Sequence, residues 1–196
     1  MKKLLLLLIF FSLPLFAQEE PWKEGMHMYV GAGPNLSVYH ADGDSIGGGL
    51  HFKTDFGYSF KKSWAIEAGS FVKFVKIHDV LIWDTALTLG LKRKLPQDYY
   101  LRAFMGQAPT VFYTNDKPDV YRRSKSSRVI YTGPVIGFSL GNFHKDWFWE
   151  TTASYQSLDK SRGIRDDGIV PTEVFRTDLS SVKIISVSVT FGMMVF

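Results

Sequence analysis

Apolar residues alternate with small or polar residues along most of the chain beyond residue 25. The clearest case is the segment from Val182 to Phe196, in which Ile185, Val187 and Val189 alternate with serine and threonine. An alternation with a period of two predicts a β-strand whose two faces meet different environments. The same pattern predicts eight strands: Met26–Val38, Ile46–Phe60, Trp64–Lys76, Val80–Arg93, Tyr99–Tyr113, Arg128–Asn142, Trp147–Leu158 and Val182–Phe196.

The connections between the predicted strands differ in length at the two ends of the sheet. With both termini of the sheet at one end, the connections at that end are short and fall at Lys61, Pro96 and His144. The opposite end carries the other four, and two of these are the long polar segments 114–127 and 159–179. An even number of strands, with short turns on one side and longer loops on the other, is typical of outer-membrane barrels. The pattern therefore predicts an all-β fold, an eight-stranded antiparallel up-and-down transmembrane β-barrel.

The positions of the glycines predict which face points inward. Alternation alone also fits a soluble, lipocalin-like barrel in which the two faces are reversed. Small residues relieve crowding inside a narrow barrel, whereas large apolar residues have room on the lipid side. Nearly all strand glycines share the polar face, which is therefore predicted to line the interior: Gly31, Gly33, Gly47, Gly49, Gly57, Gly69, Gly90, Gly106, Gly133, Gly137 and Gly141.

Aromatic residues cluster beside the short turns. Trp and Tyr are enriched where a membrane protein crosses the interface between lipid and water. We therefore expect an aromatic belt at the periplasmic interface, formed by Tyr58, Phe60, Trp64, Tyr99, Trp147 and Trp149.

The N-terminus predicts export. Lys2 and Lys3 precede an apolar run of about thirteen residues that ends near Ala17, and this order is typical of a cleavable secretory signal peptide. The run is too short to cross a bilayer as a helix. The predicted organisation is a signal peptide at 1–17, a short polar leader at 18–25 and an outer-membrane barrel at 26–196. The formal net charge of +4 falls to +2 without the two lysines, so it gives no reason to expect nucleic-acid binding.

Eight charged residues fall on the predicted inward face, four of each sign. Because an unpaired charge in a narrow interior is costly, we expect them to pair as a salt-bridged plug. Lys73 is predicted to lie directly across from Asp84, and Glu67 to lie diagonally to Lys92. The alternative is an ion path or gate, which would make the barrel a narrow channel for small solutes. The predicted interior charge network is Lys53, Asp55, Glu67, Lys73, Asp84, Lys92, Arg102 and Glu150.

Other chemistry is sparse in the sequence. None of the five histidines stands in an arrangement that predicts a nucleophile, a general base or a metal site. We expect no catalytic residue, no metal and no cofactor, although a lipid-modifying enzyme remains an alternative. The polar segment 115–128 carries a basic cluster that is predicted to contact lipopolysaccharide phosphates, unless it is an ordinary solvated loop. The cluster is Lys117, Arg122, Arg123, Lys125 and Arg128.

From residue 18 to the terminal Phe196, the strand pattern resembles the small outer-membrane barrels of the OmpA-barrel, OmpX and OmpW group. The resemblance implies a monomer in the outer membrane, surrounded by lipopolysaccharide. It also implies that Phe196 belongs to the insertion signal that the barrel-insertion machinery reads. No residue-level function follows, since barrels with unrelated roles share this pattern. We expect a structural barrel whose surface loops contact lipid or extracellular partners.

Two details of strand register are also predicted. Pro109 removes a ladder hydrogen bond, so we expect it at a strand end or a bulge. Phe196 occupies an even-numbered position, whereas Ile185 and the other lipid-facing residues of the last strand occupy odd-numbered positions. Strict alternation would therefore point Phe196 away from the lipid face. An extra residue in a bulge at Gly192-Met193 would bring it back into phase.

Overall fold

Eight strands close into one antiparallel barrel in the computed structural model, which describes residues 24–40, 43–61, 63–77, 80–115, 126–144, 146–160 and 181–195. The strands are β1 Gly25–His40, β2 Asp44–Lys61, β3 Trp64–Ile77, β4 Val80–Lys94, β5 Tyr99–Asn115, β6 Ser126–His144, β7 Trp147–Lys160 and β8 Ser181–Met194. Each strand pairs with the next along the chain, and β8 pairs with β1. The predicted fold class is confirmed.

The ends of the barrel differ as the sequence pattern predicts. A short 3₁₀ turn, Pro96–Asp98, joins β4 to β5 at the end that carries the short turns. Among the described residues, no helix is long and apolar enough to cross a membrane. The signal peptide at 1–17 and the leader up to residue 23 lie outside the described residues and stay predictions.

The register of the ladders fixes the tilt of the strands. One row of paired residues runs around the barrel through Met28, Phe56, Ala68, Leu89, Met105, Ile136, Tyr155 and Ile185. The row returns to β1 at Val38, ten residues beyond Met28. This offset of ten residues is the shear of the barrel. In an eight-stranded barrel it corresponds to a strand tilt of about 40° and a rise of about 2.5 Å per residue along the barrel axis. A strand of 14 residues such as β3 therefore spans about 35 Å, more than the hydrocarbon core of a bilayer.

The outward face of the barrel is exposed and mostly apolar. Leu87 and Ile46, on different strands, have exposed fractions of 68% and 67%. An apolar surface that continues around a closed barrel is the surface that lipid covers. The six aromatic residues predicted to form a belt lie at the end with the short turns, either exposed or half-buried: Tyr58, Phe60, Trp64, Tyr99, Trp147 and Trp149.

Three outward-facing prolines interrupt the ladders. The pairing of β1 with β8 skips Pro34, that of β4 with β5 skips Pro109, and that of β6 with β7 skips Pro134. A proline nitrogen has no hydrogen to donate, so these ladder bonds cannot form. The prediction that Pro109 lies at a strand end or bulge is wrong. It lies inside β5 and pairs with Thr132 of β6, and the register is unchanged across the gap in the β4–β5 ladder.

The end of β8 carries no bulge. Gly192 and Met193 pair in unbroken order with both neighbouring strands. The bulge predicted there is therefore wrong, and the outward parity continues through Met193 to Val195, which are 65% and 55% exposed. The prediction rested on the assumption that Phe196 faces lipid in the same register as the rest of the strand. Phe196 itself lies outside the described residues.

Four glycines at inward-facing positions let neighbouring strands approach closely. A Cβ atom on Gly33, Gly49, Gly106 or Gly133 would overlap a backbone carbonyl oxygen of the adjacent strand. The four contacts fall at the β1–β8, β2–β3, β4–β5 and β6–β7 junctions, which are every second junction of the ring. A side chain at any of these four positions would therefore obstruct the close approach of the two strands.

Candidate functional site in the barrel interior

Side chains fill the interior in four successive layers, which we name from the end with the short turns. The aromatic floor is Tyr29, Ala65, Tyr100, Phe143 and Phe148. The charge network above it is Lys53, Asp55, Glu67, Lys92, Arg102 and Glu150. The upper polar layer is Lys73, Asp84, Thr110, Ser154 and Gln156. The apolar cap, near the end with the long connections, is Tyr39, Val75, Ile77, Val80, Ile82, Phe112, Tyr131, Leu158, Val182 and Ile184.

The structure places all eight of the predicted inward charges in the interior. Their exposed fractions lie between 0% and 6%. Six of them form the charge network, whereas Lys73 and Asp84 form a separate pair in the upper polar layer. The interior charges therefore occupy two levels rather than one continuous row.

Arg102 and Lys53 join three carboxylates at the centre of the charge network. The guanidinium of Arg102 contacts Asp55 through Nη2 at 2.9 Å and Glu67 through Nε at 2.9 Å. The Nζ atom of Lys53 lies 2.8 Å from Asp55 Oδ2 and also contacts Glu150. Asp55 therefore lies between two cations, and each of the three carboxylates has at least one cationic partner.

Lys92 closes the network against the aromatic floor. Its ammonium pairs with Glu67 and lies 4.2 Å from the ring centre of Tyr29 and 4.4 Å from that of Tyr100. Rings this close to a desolvated ammonium stabilise its charge. The hydroxyl of Tyr100 donates a hydrogen bond to Glu150 Oε2 at 2.8 Å, so the floor and the network share partners.

The contacts of the network cross the lumen. Lys53 lies on β2 and Glu150 on β7, with β1 and β8 between them in the ring. Arg102 lies on β5 and Asp55 on β2, with β3 and β4 between them. The barrel has a radius of about 8 Å at this shear, so long side chains from opposite walls can meet near the axis. At this level the side chains occupy the middle of the barrel as well as its lining.

The pair in the upper polar layer is held by neutral side chains. Lys73 lies opposite Asp84 in the β3–β4 ladder, with Nζ 3.5 Å from Oδ2. Thr110 donates to Asp84 Oδ1 at 2.8 Å, and the amide of Gln156 donates to Oδ2 at 2.9 Å. Lys73 also donates to Ser154 at 3.2 Å. Several partners thus share the cost of burying this ion pair.

The apolar cap is a feature that the sequence reasoning missed. Val80, Ile82 and Ile184 face inward, with exposed fractions of 7%, 1% and 1%. The alternation predicts most large apolar residues on the lipid face, and none of these three residues was predicted to face inward. The run Val80-Leu81-Ile82 held a signal, because neighbouring apolar residues without alternation indicate a strand that is buried on both faces.

Several predicted site residues lie outside the described residues. They are Lys117, Arg122, Arg123 and Lys125 of the basic cluster, and Phe196. Arg128 lies in β6, near the end with the long connections. Within the described ranges, no group of three or more acidic, histidine or cysteine side chains has the arrangement of a metal site.

Solved structures of small outer-membrane barrels resemble this chain, whereas neither a family model nor a curated protein matches it. Ail, the attachment invasion locus protein of Yersinia pestis, shares 15% identity at a TM-score of 0.57, over 88% of this chain and 99% of Ail. Ail in complex with the heparin analogue sucrose octasulfate gives 14% identity and a TM-score of 0.54 with the same coverage. Neisserial surface protein A gives 11% and 0.55, over 87% of this chain and 99% of its own.

At sequence identities of 11–15%, the similarity to these structures shows a shared fold and nothing about function. The closed ladder of eight tilted strands and the apolar, lipid-facing exterior agree with it. Because barrels of this kind have short periplasmic turns and longer external loops, we expect the end with the short turns to face the periplasm and the long connections to face outward. This chain is an eight-stranded β-barrel of the bacterial outer membrane.

Proposed function

We propose that the barrel is a non-conducting scaffold, a structural protein that holds its external loops at the cell surface for contacts with lipid or with extracellular partners. The contacts across the lumen carry the proposal, because Lys53 of β2 reaches Glu150 of β7 and Arg102 of β5 reaches Asp55 of β2. Ion pairs in the middle of the lumen and an apolar cap above them leave little room for a column of water. The proposed role involves no catalytic step and no cofactor, and the barrel acts as a monomer.

The competing function is a narrow channel for small solutes, and conductance separates the two. The purified barrel is inserted into a planar bilayer, with a general porin as the positive control for insertion and recording. We expect no stable openings from this chain. Large, long-lived openings would overturn the scaffold proposal and favour the channel.

The external contacts begin with the basic cluster of the segment between β5 and β6. Lys117, Arg122, Arg123 and Lys125 belong to the segment between β5 and β6, at the end with the long connections. We expect this end to lie on the outer side of the membrane, where lipopolysaccharide carries phosphate groups. Guanidinium and ammonium groups bind phosphate through charge-assisted hydrogen bonds. Ail has been solved with a highly sulfated saccharide, a polyanion, and this supports anion binding as a role for a barrel of this fold.

The test compares two triple variants with the same change of charge. In the first, Arg122, Arg123 and Lys125 are replaced by alanine. In the second, three arginines of the segment between β7 and β8 are replaced by alanine: Arg162, Arg165 and Arg176. We expect only the first variant to lose copurified lipopolysaccharide, measured as glycolipid per barrel by mass spectrometry. Equal retention in both variants would contradict the assignment of the cluster.

A further inference from the structure

The outward face is not apolar over its whole area. Polar side chains form a continuous patch across β5, β6, β7 and β8, in the half of the barrel nearer the outside. Gln107, Thr132, Asp159 and Lys183 are exposed there, and Ser157 is half-buried. We call the patch, which consists of five polar residues and the proline that lies among them, the outer polar stripe: Gln107, Thr132, Pro134, Ser157, Asp159 and Lys183.

The ladders make the stripe contiguous. Gln107 pairs with Pro134, and Ser157 pairs with Lys183. The register of β6 with β7 is the same on both sides of the gap at Pro134, and it places these two pairs in one row of the barrel. Thr132 pairs with Asp159 in the next row outward. Because rows in a sheared barrel climb by about 3 Å per strand, the stripe begins deep at Gln107 and rises to Lys183 at the outer rim.

The depth of Gln107 makes the stripe unusual. By the tilt and rise of the strands, Gln107 lies about 7 Å closer to the periplasm than Trp83, an exposed aromatic of the same wall. Leu36 and Leu50, on the opposite side of the barrel, are exposed and apolar at about the height of Gln107. An amide that faces hydrocarbon without a hydrogen-bonding partner is costly. A polar group of a neighbouring molecule would remove that cost.

We propose that the outer polar stripe binds the headgroup of an outer-leaflet phosphorylated glycolipid. The ammonium of Lys183 suits a phosphate at the rim. The hydroxyl and amide groups below it suit sugar hydroxyls and the carbonyls that link the acyl chains, and the carboxylate of Asp159, beside Lys183 at the rim, suits sugar hydroxyls. This rests on the proposed scaffold function and extends its lipid contacts from the external loops to the barrel wall.

Lys76 provides a matched control for Lys183. It is also an exposed, outward-facing lysine, on β3, and the register places it within about 1 Å of Lys183 in height. Its ladder partners are Gly48 and Leu81, so it lies outside the stripe. General attraction between lysines and lipid phosphates would act on both residues, whereas a built site would depend on Lys183 alone.

The experiment measures glycolipid on single barrels. Wild type, Lys183→Ala and Lys76→Ala are extracted in mild detergent, and lipopolysaccharide per barrel is counted by native mass spectrometry. The affinity of detergent-refolded barrels for purified lipid A is then titrated, with phosphatidylglycerol as the anionic control lipid. We expect Lys183→Ala to weaken lipid A binding about fivefold, from about 1 kcal/mol for one lysine at a membrane surface, with Lys76→Ala close to wild type.

A second pair of variants tests the deep end of the stripe. Gln107→Leu removes the amide, and Thr54→Val removes a lipid-side hydroxyl of β2 as its control. We expect the first change to weaken lipid A binding and the second to leave it unchanged. Equal effects of the two lysine variants, or no effect of Lys183→Ala and Gln107→Leu, would overturn the proposal. Glycolipid-free dimers that both changes dissociate would also overturn it, because the stripe would then join two copies of this chain. Bilayer conductance is independent of these outcomes, so failure here leaves the scaffold proposal standing.

Discussion

The charge network and the apolar cap close the same lumen with opposite chemistry. The network, near the periplasm, relies on partners: Lys53 and Arg102 are buried beside three carboxylates. The cap, near the outer end, closes the lumen by packing apolar side chains: Ile82 and Leu158 are buried there, with exposed fractions of 1% and 0%. Substitutions at the two levels are therefore expected to destabilise the barrel for different physical reasons. A change in the network is costly when it leaves a charge alone, and a change in the cap is costly when it leaves a void.

The largest effect is expected from removing one partner in the network. Lys53→Met leaves Glu150 buried beside Tyr100 and Thr152 and without its cationic contact. We expect the free energy of unfolding to fall by about 3–5 kcal/mol, the range for breaking a buried ion pair. Unfolding in urea from detergent micelles or thin bilayers measures it.

The double variant sharpens this expectation. Lys53→Met combined with Glu150→Gln removes both charges, so most of the lost stability should return. Additive losses in the double variant would show that Lys53 and Glu150 do not depend on each other, and the network would then not be a set of mutual partners.

A smaller effect is expected from truncating the cap. Ile184 faces inward at 1% exposure, whereas its neighbour Ile185 faces lipid at 46%. Ile184→Ala should cost about 2–5 kcal/mol because a void stays in a packed interior. Ile185→Ala should cost less, because lipid chains can fill the space beside the barrel. Equal losses, measured by the same unfolding assay, would mean that the cap is not tightly packed.

The smallest effect is expected at the close contacts between neighbouring strands that glycine allows. Gly49→Ala brings a Cβ atom against the carbonyl oxygen of Phe74, whereas Gly48→Ala faces outward with no atom closer than 3.9 Å. We expect the first change to cost about 1–3 kcal/mol, as overpacking does, and the second to be nearly neutral. If both variants were neutral, the close approach of β2 and β3 at Gly49 would not depend on glycine.

The sequence predicted the wall of the barrel better than its contents. Parity assigned all eight interior charges to the inward face, and local hairpin geometry set Lys73 opposite Asp84. Pairing along a hairpin says nothing about strands that meet across the lumen, so the contact of Lys53 with Glu150 could not be predicted. The cap was missed because hydropathy does not distinguish an apolar side chain in lipid from one in a packed interior. The bulge was predicted from the assumed orientation of a single residue, Phe196.

Conductance of four proteins tests the central claim, that the lumen is closed at more than one level. They are wild type, a network variant with Lys53→Ala and Arg102→Ala, a cap variant with Phe112→Ala and Leu158→Ala, and the combination of all four changes. Folding of each is checked by protease resistance before the recordings. We expect no stable openings from wild type, the network variant or the cap variant, because each of them keeps the charge network or the apolar cap closed. If any of the four proteins conducts, it is the combined variant, in which only the aromatic floor and the upper polar layer remain. Stable openings from wild type, or from a variant that opens one of the two layers alone, would contradict the claim that the lumen is closed at more than one level.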